Sequence, residues 1–260
     1  SEPLHTLTFA NLDGTTRQIN INKADERYII NADCIIVCVK AFQVTEAIKS
    51  LYTISESIIN IPLILCHNGV GTVELLNQHH IVPKVLLSMI TTHGSLKASP
   101  SYVMHTGAGQ SDMGLIQGKL NEEKKIPLLK ALNNQYSSIN WHENIQLLQW
   151  QKLLINCVIN PLTAIDDVNN GDLALNQYNY KIQLIINEVV LVAQASNINL
   201  HAQTMLARVY DVVSKTANNS SSMRQDIKLN RPTEIDFFNG FIVEQAKKLN
   251  IATPENEVLL

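Results

Sequence analysis

The first half of the chain alternates short apolar runs with helical patterns, and this alternation restricts the fold more than any other feature. Runs rich in valine, isoleucine and leucine occupy residues 34–39, 61–66 and 85–90. Their length and side chains are typical of strands that are buried on both faces. Helical patterns at residues 44–51 and 72–78 lie between them. This order predicts a mostly parallel sheet with helices on its faces.

Weaker signals extend this half of the chain. The turn Leu12-Asp13-Gly14-Thr15, with a short apolar stretch on either side, is typical of a β-hairpin. The other elements predicted here are strands at residues 7–11, 18–21, 102–105 and 113–117, and a helix near residues 121–135.

The second half has a different pattern. From about Glu143 onward, leucine and isoleucine recur with a period of 3.6 residues, and no run is typical of a strand. The predicted helices cover residues 145–164, 180–195, 202–217 and 232–249. We therefore predict an α/β domain at residues 1–142 and an all-α domain at residues 143–260, a length that suits two modest domains.

Composition excludes several classes of function. The 260 residues carry a formal net charge of −3, and the basic residues form no patch, which argues against a nucleic-acid partner. The longest apolar runs fall far short of the roughly 20 residues that a membrane helix needs. The four cysteines lie in apolar segments without metal-ligand spacing, so we expect buried free thiols, no metal site and a reducing, cytoplasmic location.

Three polar residues interrupt the first apolar helix of the second half. Lys152, Asn156 and Asn160 recur every four residues and therefore share one helix face. They could form the solvated edge of an amphipathic helix, or they could bind a polar ligand. Asparagine is a poor residue inside a helix, and Pro161 predicts a kink or an end at this point. Both details favour a ligand.

Three loops follow predicted strands of the first half, where an open α/β sheet binds its ligands. They are residues 40–42, 67–72 and 91–95. Gly69 and Gly71 would let the backbone approach a ligand, although a simple turn is the more frequent meaning of two such glycines.

A second polar group of residues lies near the end of the chain, at 221–226 and 231–240. Pro232 followed by an acidic residue predicts the start of a helix there. Glu234 is then either a first-turn carboxylate that complements the helix dipole or a carboxylate directed at the lysine stripe.

Several ordered segments, taken together, resemble the ketopantoate reductase (2-dehydropantoate 2-reductase) family. They are Trp150-Gln151-Lys152, residues 156–164, His67-Asn68-Gly69, Ser221-Ser222-Met223 and residues 231–236. The resemblance covers nearly the whole chain. It implies the NADPH-dependent reduction of 2-dehydropantoate to pantoate, with a Rossmann-like nucleotide-binding domain followed by a helical substrate domain.

The resemblance also implies roles for individual residues. Lys152 matches the general acid that protonates the nascent alkoxide, and Glu234 matches a carboxylate that orients the lysine or the cofactor. The positions that match substrate contacts are Asn156, Asn160, Asn170 and Ser222. The positions that match nucleotide contacts are Lys40, Asn68, Ser95 and Glu234.

One departure from the family pattern concerns the start of the chain. The strand, Gly-x-Gly-x-x-Gly turn and helix that open such nucleotide domains do not occur in this sequence. We therefore expect that the amino-terminal βαβ unit is missing and that NADPH is bound weakly or not at all, because the loop that holds the pyrophosphate is absent. Two alternatives stay open, namely a reductase of another small 2-oxoacid and a catalytically silent binding module. The expected partner is a small 2-oxoacid, and a homodimer stays open as well.

Overall fold

The computed structural model describes residues 5–22, 25–135 and 138–260. Within them the strands are β1 (His5–Ala10), β2 (Thr16–Ile21), β3 (Ile35–Val37), β4 (Leu63–Leu65), β5 (Leu86–Thr91), β6 (Gly94–Ser99), β7 (Tyr102–Gly107), β8 (Ser111–Gln117) and β9 (Ile139–Trp141). The α-helices are α1 (Glu26–Ile30), α2 (Val44–Ile54), α3 (Thr72–Gln78), α4 (Glu122–Gln135), α5 (Ile145–Ile165), α6 (Asn176–Ala195), α7 (Ala202–Lys215), α8 (Ser222–Lys228), α9 (Asn239–Leu249) and α10 (Pro254–Val258).

A five-stranded sheet forms the centre of the α/β half, in the order β3-β4-β5-β8-β9. Strands β3, β4 and β5 are parallel, with Ile36 opposite Ile64 and Ile64 opposite Leu87. Ile64 and Leu87 are fully buried. The parallel arrangement is therefore confirmed for these three strands, whereas β8 runs antiparallel to β5.

A second sheet, in the order β2-β1-β7-β6, was not predicted. The hairpin of β1 and β2 is confirmed, but β1 also pairs in parallel with β7. The prediction of a loop at residues 91–95 is wrong at its end, because Gly94 and Ser95 begin β6. Most of β6 is exposed, so its sequence carries no apolar run that would have revealed a strand.

Helix α5 continues through Pro161, so of the two predicted outcomes the end of the helix is wrong. Proline lacks the N–H that would bond to the carbonyl four residues earlier. Here that carbonyl belongs to Cys157, and it accepts a hydrogen bond from Asn239 Nδ2 at 3.1 Å. Because a distant side chain replaces the missing donor, the helix extends to Ile165.

The helix start predicted at Pro232 is also wrong. Residues 229–234 form turns and irregular backbone, a short 3₁₀ turn covers Ile235–Phe237, and α9 begins only at Asn239. Glu234 makes no side-chain cap bond for that turn. Its carboxylate binds groups far away in the sequence instead, which removes the expected first-turn role.

The described residues divide into two compact units. Residues 46–67 and 79–145 belong to the α/β unit together with the segment before Lys40, whereas residues 40–45, 68–78 and 146–260 belong to the helical unit. The helical unit encloses a large core around Leu154, Val158 and Ile185. No helix among the described residues is long and apolar enough to cross a membrane. All four cysteines are free, as predicted, but the prediction that they are buried holds only for Cys157, and Cys38 is exposed.

Candidate active site

The lysine–asparagine stripe lies along α5 at the edge of the helical core. Lys152 and Asn156 are half-buried, and Asn160 is only 6% exposed. The neighbouring residues Leu154 and Val158 are fully buried. Because polar side chains that border a dry core need hydrogen-bonding partners, this face of α5 is suited to a polar ligand.

The end of α5 is tied to the start of α8. The hydroxyls of Thr163 and Ser221 are hydrogen-bonded at 2.7 Å. Ser221 is the N-cap of α8 and accepts the backbone N–H of Arg224 at 3.2 Å. Ser222, a predicted substrate contact, is exposed in the first turn of α8. These bonds fix the position of Ser222 relative to Asn160, the last residue of the stripe.

Asn170 is buried next to the segment that leads into α8. Its Nδ2 donates to Thr216 Oγ1 at 2.9 Å, and its backbone N–H donates to the carbonyl of Asn219 at 3.0 Å. Among the described residues, Asn170 Oδ1 and Ser220 Oγ are buried without a hydrogen-bond partner. Buried polar atoms without partners are uncommon in proteins, so each needs an explanation, and a bound ligand is one of them.

A cluster of three charged side chains forms a second part of the site. Lys40 Nζ lies 2.8 Å from Asp226 Oδ2 and 3.2 Å from Glu234 Oε2. Glu234 Oε1 accepts the backbone N–H of Ala41 at 2.9 Å. The side chains of Asp226 and Glu234 are 3% and 2% exposed, whereas that of Lys40 is 35% exposed. The cluster is thus an ammonium at the surface of two buried carboxylates.

These contacts change the pKa of Lys40. Burial of the ammonium lowers its pKa, but the bond to Asp226 and the charge of Glu234 outweigh burial, so that the pKa is raised above 10.5. Lys40 is therefore a stable cation at neutral pH. The contact between Lys40 and Glu234 is a pairing that the sequence did not indicate.

The glycines of the loop at residues 67–72 serve packing. Gly69 and Gly71 have φ values of +89° and +96°, which side-chain-bearing residues rarely adopt. A Cβ at Gly69 would lie 2.8 Å from Phe237 Cβ, and one at Gly71 would lie 2.8 Å from the ring of Phe241. The backbone therefore approaches the helical unit's own aromatic residues at these glycines.

The two units divide the predicted residues unevenly. Ser95 lies on β6 in the α/β unit and is exposed. The other predicted positions all lie in the helical unit, and they are Lys40, Asn68, Lys152, Asn156, Asn160, Asn170, Ser222 and Glu234.

Sequence reasoning assigned no role to Asp226, which the structure places against Lys40. Its position one helical turn after Ser222 was the available signal, because residues four apart share a helix face.

Family models match both halves of the chain. Residues 6–118 match the family model described as ketopantoate reductase PanE/ApbA, and residues 144–260 match the model of its C-terminal part. A 2-dehydropantoate 2-reductase from Vibrio cholerae is 39% identical over 233 residues, which are 89% of this chain and 76% of the relative.

Solved structures share the fold. A ternary structure of D-mandelate dehydrogenase with NADH and anilino(oxo)acetate superposes with a TM-score of 0.85 at 24% identity, over 97% of this chain and 82% of the other. A dimeric ketopantoate reductase from Staphylococcus aureus gives a TM-score of 0.79 at 23% identity, over 98% and 84% of the two chains.

Proposed function

The chain belongs to the ketopantoate reductase family, and we propose that it reduces 2-dehydropantoate to pantoate with NADPH, a step of pantothenate biosynthesis. The observation that carries this proposal is the stripe of Lys152, Asn156 and Asn160 on one face of α5, at the edge of the helical core. It offers one cation and two carboxamides to a small polar substrate.

Lys152 is the proposed general acid. An ammonium placed against a ketone oxygen stabilises the negative charge that develops there and supplies the proton that completes the alcohol. Both effects are stronger in the transition state than in the ground state, so they accelerate the reaction. The reduced nicotinamide supplies the hydride when it is bound.

The proposed substrate contacts are carboxamides and a hydroxyl. Asn156, Asn160 and Ser222 can donate to the substrate's carboxylate and hydroxyl groups. The buried Oδ1 of Asn170 supplies an acceptor that no described residue uses, and a substrate hydroxyl would satisfy it. Uncharged donors suit this task, since they orient the substrate without competing with Lys152 for the developing charge.

The cofactor contacts are proposed at Lys40, Asn68, Ser95 and Glu234. Lys40 has three N–H groups, of which the bonds to Asp226 and Glu234 use two. Its charge is already balanced by these carboxylates, so the remaining N–H suits a hydroxyl or carboxamide of the nucleotide better than a phosphate. The residues of this cluster therefore fit the ribose or amide part of a nicotinamide nucleotide.

The domain assignment is part of the same proposal. Residues 1–142 would form the nucleotide-binding domain and residues 143–260 the substrate domain. We further propose a cytoplasmic enzyme, in keeping with four free cysteines, and a homodimer, as in the dimeric relative from Staphylococcus aureus.

A steady-state assay of the full-length enzyme tests the proposed function. NADPH and NADH are each combined with 2-dehydropantoate and with a phenyl-substituted 2-oxoacid. We expect kcat/KM for 2-dehydropantoate and NADPH to exceed every other combination by at least about tenfold, or 1.4 kcal/mol. A preference for NADH or for the aromatic substrate would contradict the proposed cofactor or substrate, and no turnover at all would favour a silent binding module.

A further inference from the structure

Asp226 is an almost completely buried carboxylate whose two oxygens bind two different cations. Oδ1 lies 3.0 Å from Arg231 Nη2, and Oδ2 lies 2.8 Å from Lys40 Nζ. A buried carboxylate is costly unless it is paired and hydrogen-bonded, so these contacts account for its charge.

The two cations differ in what they contribute. Arg231 is only five residues away, and its backbone N–H also donates to the carbonyl of Asp226 at 2.8 Å. This local pair closes the turn after α8 by itself. Lys40 comes from 186 residues earlier in the chain, so its contact with Asp226 is not needed to form the turn.

The contact with Asp226 restricts the Lys40 side chain. Lysine has a flexible four-carbon stem and a rotatable ammonium, so one acceptor leaves it several orientations. Acceptors at 2.8 Å and 3.2 Å on two different segments hold the ammonium in one place. Glu234 is in turn held between that ammonium and the N–H of Ala41.

We propose that Asp226 is a positioning residue of the reductase, which holds the Lys40 ammonium against Glu234 and so fixes both groups for the bound nucleotide. The inference rests on the proposed function, because it assigns Lys40 and Glu234 to the cofactor. Asp226 itself acts through Lys40 and follows Ser222 by one helical turn on α8. One short helix would therefore adjust both the substrate contact and the cofactor contact.

A double-mutant cycle in the full-length enzyme tests the proposal. The variants are Asp226→Asn, Lys40→Met and the combination of both, and kcat, KM for NADPH and the free energy of unfolding are measured for each. We expect Asp226→Asn to raise KM for NADPH by about 10-fold or more, with a smaller change in kcat. The double variant should be no worse than Lys40→Met alone, because Asp226 would have no cation left to position.

The matched control is Asp211→Asn. Asp211 pairs with Lys215 at the same distance of 2.8 Å, but this pair is exposed on α7. We expect its KM for NADPH to stay within about twofold of the wild-type value, because exposed pairs contribute little.

Each result decides between a positioning role and a structural one. Additive losses in KM, or an unchanged KM in Asp226→Asn, would overturn the proposal. If Asp226→Asn does not fold, Asp226→Glu replaces it, because this variant keeps the negative charge for Arg231 and shifts the carboxylate that contacts Lys40. Asp226→Glu should then raise KM for NADPH in the wild-type background and leave it unchanged in the Lys40→Met background. A raised KM in both backgrounds, or failure of Asp226→Glu to fold as well, would make Asp226 a structural partner of Arg231.

Failure of the proposed function has a different signature. A wild-type enzyme that neither turns over 2-dehydropantoate nor binds NADPH would overturn that function. The coupling between Asp226 and Lys40 would then be measured in the free energies of unfolding, and its absence would overturn the pairing itself.

Discussion

Two buried glutamates of the helical unit have opposite surroundings. Glu188 is 8% exposed, and its oxygens accept the backbone N–H groups of Glu255 and Asn256 at 2.9 and 3.0 Å. Glu234 is 3% exposed and shares the partly exposed ammonium of Lys40 with Asp226. These donors to Glu188 are all uncharged, whereas Glu234 accepts from one backbone N–H and from a cation that reaches the surface.

The difference follows from the part of the structure that each carboxylate contacts. Glu188 lies at the first turn of α10, where N–H groups have no partner inside the helix and a negative charge is favourable. Its Oε2 also accepts Asn256 Nδ2 at 2.7 Å, and Asn256 Oδ1 accepts Asn239 Nδ2, which continues to the carbonyl freed by Pro161. This network stabilises the fold. In the Lys40 cluster, one N–H of the ammonium remains after the bonds to Asp226 and Glu234. Burial alone therefore does not distinguish a structural carboxylate from one at a binding site.

Lys152→Ala is the variant of the proposed active site for which we expect the largest effect. We expect kcat to fall by about 10²- to 10⁴-fold, the usual span for a lost general acid, with little change in the free energy of unfolding. The matched control is Lys215→Ala on α7, which should leave kcat unchanged. Stopped-flow and steady-state assays at neutral pH measure both variants, and near-wild-type turnover of Lys152→Ala would remove the assignment.

Glu188→Ala tests the structural side. The change removes three hydrogen bonds to a charged acceptor and leaves their donors buried, so we expect the free energy of unfolding to fall by about 3 kcal/mol or more. The folded fraction should keep the wild-type KM for both substrates. Urea denaturation and kinetics at low temperature check the two parts, and a raised KM at unchanged stability would show that the comparison is wrong.

Asn156→Ala and Asn160→Ala test whether these two asparagines bind the substrate or only stabilise the fold. Each contacts the substrate alike in the ground and transition states, so we expect KM for 2-dehydropantoate to rise by the equivalent of roughly 1 to 3 kcal/mol, with kcat nearly constant. Initial-rate assays give both constants. If both variants fail to fold, the asparagines belong with Glu188 as structural residues.

Local patterns predicted the three longest helices of the helical unit well, but they missed α8 and α10 and placed the start of α9 too early. The apolar period marked α5, α6 and α7, and the four-residue spacing placed Lys152 and Asn160 on one face. What the sequence could not supply were bonds between distant segments. The bond from Asn239 to the Cys157 carbonyl spans 82 residues, and it replaces the N–H donor that Pro161 lacks.

The α/β unit was predicted less completely, for a related reason. Strands β3, β4 and β5 are apolar runs and were expected, although β3 is only partly buried, whereas β6 is exposed and has no such run. Pairing between β1 and β7 joins segments almost a hundred residues apart, so no local signal reveals the second sheet. The contact between Lys40 and Asp226 spans 186 residues and was missed in the same way.

The smallest expected effect is the pH dependence of the free energy of unfolding, which tests the pairing of Lys40 with the two carboxylates. The pKa of Lys40 is raised in the folded protein, chiefly because the bonds to Asp226 and Glu234 outweigh burial. Its contribution to stability is therefore fully present below the unfolded value of 10.5 and is lost as the pH rises through the higher folded value. Urea denaturation of the wild type and of Lys40→Met from pH 8 to above pH 11 measures this loss of stability. Comparing the two proteins at each pH removes the effect of tyrosine ionisation, which is common to both.

We expect the difference in the free energy of unfolding between the two proteins to be constant up to about pH 10.5 and to shrink above it. The decrease should be modest, because solvent screens a side chain that is 35% exposed. A difference that stays constant over the whole range would mean that the Lys40 ammonium does not hold these carboxylates in solution.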